Sequence, residues 1–180
     1  MIESVCNETQ VALKHKLREN KICDYKVNPT FVFMGTFINL IGWIFFNGGS
    51  TLSMQTARSV GASKIVMNTF LSTCASAMVV SFVRPHVMRE YSRLNLFDVT
   101  HMSNGIFAGL VGITSACDSV EPWAAFVIGL MSGNFYIFGS WLLQKLKIDD
   151  PSDSLPSSFF CAIWGVLSAG IFEELEEINY

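Results

Sequence analysis

The stretch Gly42-Trp43-Ile44-Phe45-Phe46-Asn47-Gly48-Gly49-Ser50 ends a long apolar run and decides how the rest of the chain is interpreted. It places three aromatic residues directly before a polar, glycine-rich end. Aromatic residues gather at membrane–water interfaces, and glycine often follows the last turn of a helix. Two interpretations are therefore open from this stretch alone: an aromatic belt with a glycine C-cap, or the mouth of a pore.

The composition outside this stretch is that of a membrane protein. Of 180 residues, 51% are hydrophobic and 15% are charged, whereas an average soluble domain has about 25% charged residues. The net charge of -3, without a basic patch, does not indicate a nucleic-acid partner. The five cysteines are scattered, without a C-x-x-C pair or a Cys/His cluster, so we expect no metal site, disulfide framework or other cofactor.

Five windows in the chain contain at least 19 consecutive residues without Asp, Glu, Lys or Arg. A membrane-spanning helix needs about 20 mainly apolar residues, and these windows lack the polar face of a soluble amphipathic helix. We therefore predict an all-α membrane protein with five spans, the second ending at Arg84-Pro85. The predicted parts are an N-terminal segment (1–29), spans at 30–46, 64–83, 103–117, 123–143 and 155–172, and an acidic tail (173–180).

Positive charge predicts the orientation of these spans. Ten of the twelve Lys and Arg residues lie before the first span, between the second and third, or between the fourth and fifth. Those segments share one side of the membrane if every window spans, and cytoplasmic loops carry an excess of Lys and Arg. We expect the N-terminus in the cytoplasm, the C-terminus outside, and the protein in the plasma membrane.

Five motifs, in register, resemble those of the ammonium transporter (Amt/Mep/Rh) family, and together they cover about residues 26–172. The opening stretch, with Thr36-Phe37 before it, resembles the family's GT-F…GW-x-x-FN-x-GS pattern. The other motifs are Met67-Asn68-Thr69, the NG-x-x-AGLV-x-IT pattern at residues 104–114, Glu121-Pro122-Trp123-Ala124-Ala125, and Asp149-Asp150-Pro151 with Ile163-Trp164-Gly165.

This resemblance implies a fold of eleven membrane helices, in which two five-helix halves are related by an inverted repeat. The five spans resemble the second half, helices six to ten, so we expect the chain to be incomplete as a pore. The implied partners are ammonium or ammonia as substrate, the lipid bilayer, and either further copies in a trimer or a separate first half.

The resemblance also implies a set of site residues. Trp43 resembles a pore-lining tryptophan, Phe46 one ring of a phenylalanine gate, Ser50 the hydroxyl of an outer recruitment site, and Thr114 a polar residue near the gate. Packing aromatics and a helix cap are the alternative readings of Trp43, Phe46 and Ser50. We expect structural polar roles, including caps at the start of the fifth span for the two aspartates, at Asn47, Asn68, Asn104, Asp150 and Asp153.

The sequence departs from the family pattern at Ser158, where the family has its second pore histidine. Serine does not titrate near neutral pH, so it cannot relay a proton as imidazole does. His15, His86 and His101 lie in or beside predicted cytoplasmic loops and are expected to be solvated.

Two hypotheses follow. The protein either conducts ammonium or ammonia, or is a non-transporting membrane scaffold or subunit that has lost the histidine relay. An enzyme is not expected, because the sequence shows no nucleophile–base pair and no set of metal ligands.

Overall fold

The structure is a computed structural model that describes residues 28–49, 59–87, 99–146, 148, 150 and 152–177. Asn28 precedes the first helix and caps its N-terminus. Its side-chain oxygen accepts the N–H of Thr30 over 3.0 Å, and Pro29 occupies the first helical position, where a missing N–H costs nothing. The helices are α1 (Pro29–Gly49), α2 (Ser59–Val87), α3 (Val99–Ile113), α4 (Pro122–Leu146), a π-helix (Pro156–Phe160) and α5 (Cys161–Glu177). An all-α fold is confirmed for the described residues.

Each helix differs from its predicted span at one end or at both ends. α2 continues through Pro85 to Val87, so Arg84 lies inside the helix rather than in a loop. A proline so close to the helix end removes only one hydrogen bond, and the ring of His86 lies 2.8 Å from the carbonyl of Phe82 in the same turn. α3 ends at Ile113, before a run of turns, and α5 extends to Glu177.

α1, α2 and α4 are long and apolar enough to cross a membrane, and α3 and the π-helix–α5 segment are shorter apolar helices. Neighbouring helices along the chain run in opposite directions. At one end of the bundle Arg84 of α2 bonds to Tyr136 in the second half of α4, and Tyr136 also bonds to Asn104 near the start of α3. At the other end Asn68 of α2 bonds to the turn after α3. We name these the Arg84 end and the Asn68 end.

α2 is the central helix, and glycines allow α3 and α4 to pack closely against it. A Cβ atom on Gly109 would lie 2.8 Å from the Ser72 carbonyl oxygen, and one on Gly129 would lie 2.7 Å from Ser72 Cα. One turn along, Gly105 and Gly133 pack in the same way against other parts of α2. The two glycine pairs therefore give α2 a neighbour on two sides, as small residues do in membrane helix packing.

The buried side of α2 is polar and its exposed side is apolar. Thr69, Ser72 and Ser76 are fully buried, whereas Phe70 and Phe82 are exposed. A helix that faces lipid gains nothing by hiding large apolar groups, and its small polar groups need partners inside the protein. This inverted pattern is the one expected of a membrane bundle.

Candidate pore site

Trp43 and Thr114, which are 71 positions apart in the sequence, are joined by a hydrogen bond. The indole Nε1–H of Trp43 donates to Thr114 Oγ1 over 2.9 Å, and the Thr114 hydroxyl donates to the carbonyl of Leu110 over 2.7 Å. Since α3 ends at Ile113, Thr114 lies just beyond its last turn. The bond fixes the plane of the tryptophan ring at the side of α3.

Phe46 lies one turn after Trp43 on α1. The two rings meet edge to face, with centroids 6.3 Å apart and an interplanar angle of 66°. Trp43 is partly buried, whereas 65% of Phe46 is exposed, so the pair presents one fixed ring and one open ring. Trp43, Phe46 and Thr114 are therefore brought together as one group, which we name the aromatic site.

A hydrogen bond between Asn47 and Thr69 holds the end of α1 against α2, next to the aromatic site. The side-chain amide of Asn47, which is 1% exposed, donates to Thr69 Oγ1 over 3.2 Å. Thr69 in turn donates to the carbonyl of Ile65 in its own helix over 2.8 Å. The arrangement ties α1 to α2 at the Asn68 end. Ser50, the expected outer hydroxyl, lies outside the described residues.

Asn68 holds the turn that follows α3. Its side-chain amide donates to the carbonyl of Cys117 over 3.1 Å and to that of Val120 over 2.8 Å, and the residue is fully buried. Both carbonyls belong to the turn that begins at Thr114, where the backbone leaves the helix. Asn68 therefore stabilises the segment from which Thr114 reaches Trp43.

Ser158 is exposed and lies in the middle of the π-helix. It is far along the sequence from the residues of the aromatic site. Its carbonyl accepts the N–H of Cys161, where the π-helix passes into α5. π-helical turns are rare and are found often at functional sites. Its buried neighbour Ser157 bonds instead to the backbone, with its hydroxyl 3.0 Å from the carbonyl of Asp153.

The two aspartates expected to cap the fifth span have different roles. Asp150 does act as a cap, because its Oδ2 accepts the N–H of Leu155 over 2.8 Å. The carboxylate of Asp153 instead points to Arg84, with Arg84 Nη2 2.9 Å from Asp153 Oδ2. Only 3% of the Arg84 side chain is exposed, and a buried guanidinium left without a charged partner would be costly, so the carboxylate is needed there.

Asp153 belongs to a buried polar group at the Arg84 end, which we name the Arg84 cluster. The Tyr136 hydroxyl donates to Asp153 Oδ2 over 3.0 Å, accepts from Asn104 over 3.3 Å, and also bonds to Arg84. Ser140 Oγ lies 3.3 Å from Asp153 Oδ1. The members of the cluster are Arg84, Asn104, Tyr136, Ser140 and Asp153.

Three members of this cluster, Arg84, Tyr136 and Ser140, were not predicted as site residues from the sequence. The sequence interpretation counted Arg84 as a loop charge because a proline follows it. The signal available was a single arginine at the end of a window that otherwise lacks charge, with a tyrosine and an aspartate on later segments. Of the histidines, His86 is exposed in the last turn of α2 and His101 lies partly buried in the first turns of α3, while His15 lies outside the described residues.

Apolar helices that bury small and polar residues and expose aromatic residues are typical of a multi-pass membrane protein. The model of the Ammonium Transporter Family matches residues 12–179. The chain belongs to this family, as its motifs indicated.

Relatives and solved structures agree with the family match. Ammonium transporter Amt2 of Archaeoglobus fulgidus is 37% identical over 147 residues, 82% of this chain and 30% of that protein. Ammonium transporter 3 of Dictyostelium discoideum is 34% identical over 140 residues, 77% of this chain and 31% of that protein. The crystal structure of Saccharomyces cerevisiae Mep2 matches with a TM-score of 0.67 and 31% sequence identity. The match covers 81% of this chain and 32% of the Mep2 chain. The chain therefore spans about a third of the length of the proteins it matches.

Proposed function

We propose that this chain takes part in conducting ammonium or ammonia across a membrane, as one half of a pore. The single observation that carries the proposal is the hydrogen bond from Trp43 to Thr114, which holds an aromatic group at an open side of the bundle. The names of the relatives, which are ammonium transporters, support the same substrate.

The chemistry of the aromatic site suits a small cation that must leave water. The face of a tryptophan or phenylalanine ring attracts a cation, by about 0.5–2 kcal/mol depending on its desolvation. A neutral species then crosses the apolar interior far more cheaply than a charged one. In the proposal Trp43 and Phe46 meet the cation, Thr114 fixes Trp43, Ser50 supplies an outer acceptor, and Ser158 lies further along the path.

A pore between two halves explains why so much of α1 is open. Phe45 and Phe46, at the end of α1, are 75% and 65% exposed. In the proposal part of α1 faces a further set of helices, from the same protein or from a partner, and part faces lipid. The five-span topology with a cytoplasmic N-terminus, the plasma-membrane location and a trimeric assembly belong to the same proposal and follow from the charge pattern and the family.

Ser158 favours a second candidate function, a membrane scaffold or subunit that does not transport. The hydroxyl does not titrate near neutral pH, so a path that needs a histidine-like proton relay at this position would be interrupted. The two candidates predict opposite results for ammonium uptake, and neither assigns an enzymatic activity to the protein.

Uptake of labelled methylammonium by cells without their own ammonium transporters tests the proposal. The protein is expressed from its native transcript, with Trp43→Leu as the test variant and Phe31→Leu as the matched control. Phe31 is an exposed aromatic on the same helix, more than three turns away from Trp43 along the chain, and is 72% exposed. We expect Trp43→Leu to abolish most of the uptake and Phe31→Leu to leave it near the parent level.

Two results would contradict the transport proposal. The first is no uptake by the parent protein when it is present in the membrane at normal abundance together with the helices that complete the pore, which would favour the scaffold. The second is an equal loss in both variants, because the aromatic site would then have no special role.

A further inference from the structure

The Arg84 cluster connects three helices to the short segment that precedes the π-helix. Arg84 comes from α2, Asn104 from α3, and Tyr136 and Ser140 from α4, and all of them surround the carboxylate of Asp153 directly or through Tyr136. Asn104 also donates to the carbonyl of Ser152 over 3.1 Å. The segment at 152–153 is therefore held by side chains of α2, α3 and α4.

Asp153 has an unusual backbone. Its φ is 50°, and it is the one residue other than glycine with a positive φ in the described part of the chain. Few residues other than glycine adopt this left-handed conformation, although aspartate does so more often than most, and such residues gather at functional sites. The contacts that impose it here are those of the carboxylate with Arg84, Tyr136 and Ser140.

The backbone of the same residue also bonds to the first turn of the π-helix. The carbonyl of Asp153 accepts both the N–H of Ser157, over 3.3 Å, and its hydroxyl, over 3.0 Å. Ser158 is the next residue along the chain. One residue thus anchors the Arg84 cluster through its carboxylate and the turn that carries Ser158 through its carbonyl.

We propose that the Arg84 cluster is a positioning device that fixes the π-helix and so determines the direction in which Ser158 faces. Arg84 and Tyr136 act through Asp153 and do not touch the substrate. A π-helix is an uncommon conformation that needs outside contacts to persist, and a buried arginine needs a charged partner in one place. The proposal rests on the proposed function only in taking Ser158 as part of the path.

The test measures the accessibility of residue 158 and requires no transport. A thiol introduced by Ser158→Cys is labelled with a membrane-impermeant maleimide in the full native protein, and the labelling rate is measured. The buried thiols of Cys117 and Cys161 are retained. Serine replaces the remaining cysteines, which are Cys6, Cys23 and Cys74.

Three variants are compared in this background. Asp153→Asn removes the charge, and Tyr136→Phe removes only one hydroxyl, so it keeps the ion pair and folds more readily. Ser132→Ala is the control, because it also removes a buried hydroxyl from α4, but one that bonds to Ile128 of its own helix over 2.8 Å. A second reporter, Asp118→Cys, lies exposed in the turn at the Asn68 end.

We expect Asp153→Asn and Tyr136→Phe to accelerate labelling at residue 158 by about fivefold or more, since the released turn would let this exposed residue leave its fixed orientation. Ser132→Ala should leave this rate unchanged, and none of the variants should change the rate at the Asp118→Cys reporter. Equal labelling at residue 158 in the parent and in Tyr136→Phe, including no labelling of either, would overturn the proposal. An equal acceleration at both reporters would also overturn it, because the cluster would then stabilise the whole bundle and not one turn.

The uptake experiment with Trp43→Leu and the labelling experiment are independent of each other. If the protein does not transport, the labelling difference still shows that the cluster sets the π-helix. If the labelling rates are equal, the aromatic site retains its proposed function and only the positioning role is lost.

Discussion

α2 and α1 are both long apolar helices, but one is enclosed by its neighbours and the other is largely open. Half of the most apolar window of α2 is buried in the protein, whereas only 6% of that of α1 is buried. On α2 the buried residues form a stripe, while on α1 they are Thr36 and Asn47 alone. Apolarity therefore indicates that both helices avoid water, and small or polar residues indicate where each one touches protein.

The difference between α1 and α2 also separates stability from function. Besides its side-chain bonds, α2 approaches α3 and α4 closely through glycines, so little can change there without displacing a helix. The contacts of α1 are a few side-chain hydrogen bonds, and its aromatic rings stay accessible. The open helix is the one that carries the candidate site.

The largest expected effect is that of Gly129→Ala on α4. The new methyl group would lie 2.7 Å from Cα and 2.8 Å from the carbonyl carbon of Ser72, and neither backbone atom can move alone. We expect a loss of at least about 3 kcal/mol of stability, at the upper end of overpacking costs. Thermal unfolding of the purified protein in detergent measures it.

Gly35→Ala on α1 is the matched control, because a Cβ atom there meets nothing within 4 Å. Replacing a helical glycine by alanine in open space should raise stability by about 0.5–1 kcal/mol. Equal unfolding temperatures for the two variants would remove the distinction between the enclosed and the open helix.

A smaller effect is expected from Asn68→Ala, which removes the donor for two buried carbonyls in the turn after α3. Leaving buried acceptors without a partner should cost about 2 kcal/mol. Asn134→Ala is the control, because that exposed amide bonds only to Leu130 of its own helix, over 2.8 Å. A result within about 0.5 kcal/mol of the parent is expected for the control, as for most surface substitutions.

The Asn68→Ala variant also has a local consequence that sharpens the comparison. Because the turn begins at Thr114, its loosening should weaken the contact with Trp43. Hydrogen exchange at residues 114–120 should rise more than at the centre of α4. Uniform exchange across both regions would contradict a local role for Asn68.

The smallest expected effect is that of Thr36→Val on α1. Thr36 Oγ1 lies 2.8 Å from Ser103 Oγ, in a buried contact between α1 and α3. The loss of one hydrogen bond between neutral groups should cost about 1 kcal/mol, and chemical unfolding in mixed micelles would detect it. A loss as large as that of Gly129→Ala would mean that α1 is as tightly held as α2.

Most of the helices could be predicted because lack of charge over 19 or more residues is a direct requirement of lipid. α3 and α4 approach α2 at Gly105 with Gly109 and at Gly129 with Gly133, and glycines four residues apart are typical of close helix packing in membranes. The partner of these glycines, the Ser72 region of α2, could not be predicted. Glycine spacing shows that a helix face carries small residues, but it does not show which helix packs against that face.

The aromatic site was partly predictable and the Arg84 cluster was not. Trp43, Phe46 and Thr114 belong to motifs of the family, so their juxtaposition followed from the resemblance. Arg84 precedes a proline, which usually marks a helix boundary, and only tertiary contacts reveal that α2 continues. Asp153 was predicted to be a helix cap because its charged partner, Arg84, lies 69 positions away in the sequence.

The most direct test of the proposed conduction path replaces Ser158 by the residue that the family pattern has there. Methylammonium uptake is measured for the parent protein, for Ser158→His, and for Ser154→His, which introduces the same side chain at another exposed serine nearby. If Ser158 lies on the path of the substrate, Ser158→His should increase uptake several-fold and Ser154→His should not. No uptake by any of the three proteins, or equal uptake by all of them, would contradict a conducting path past Ser158.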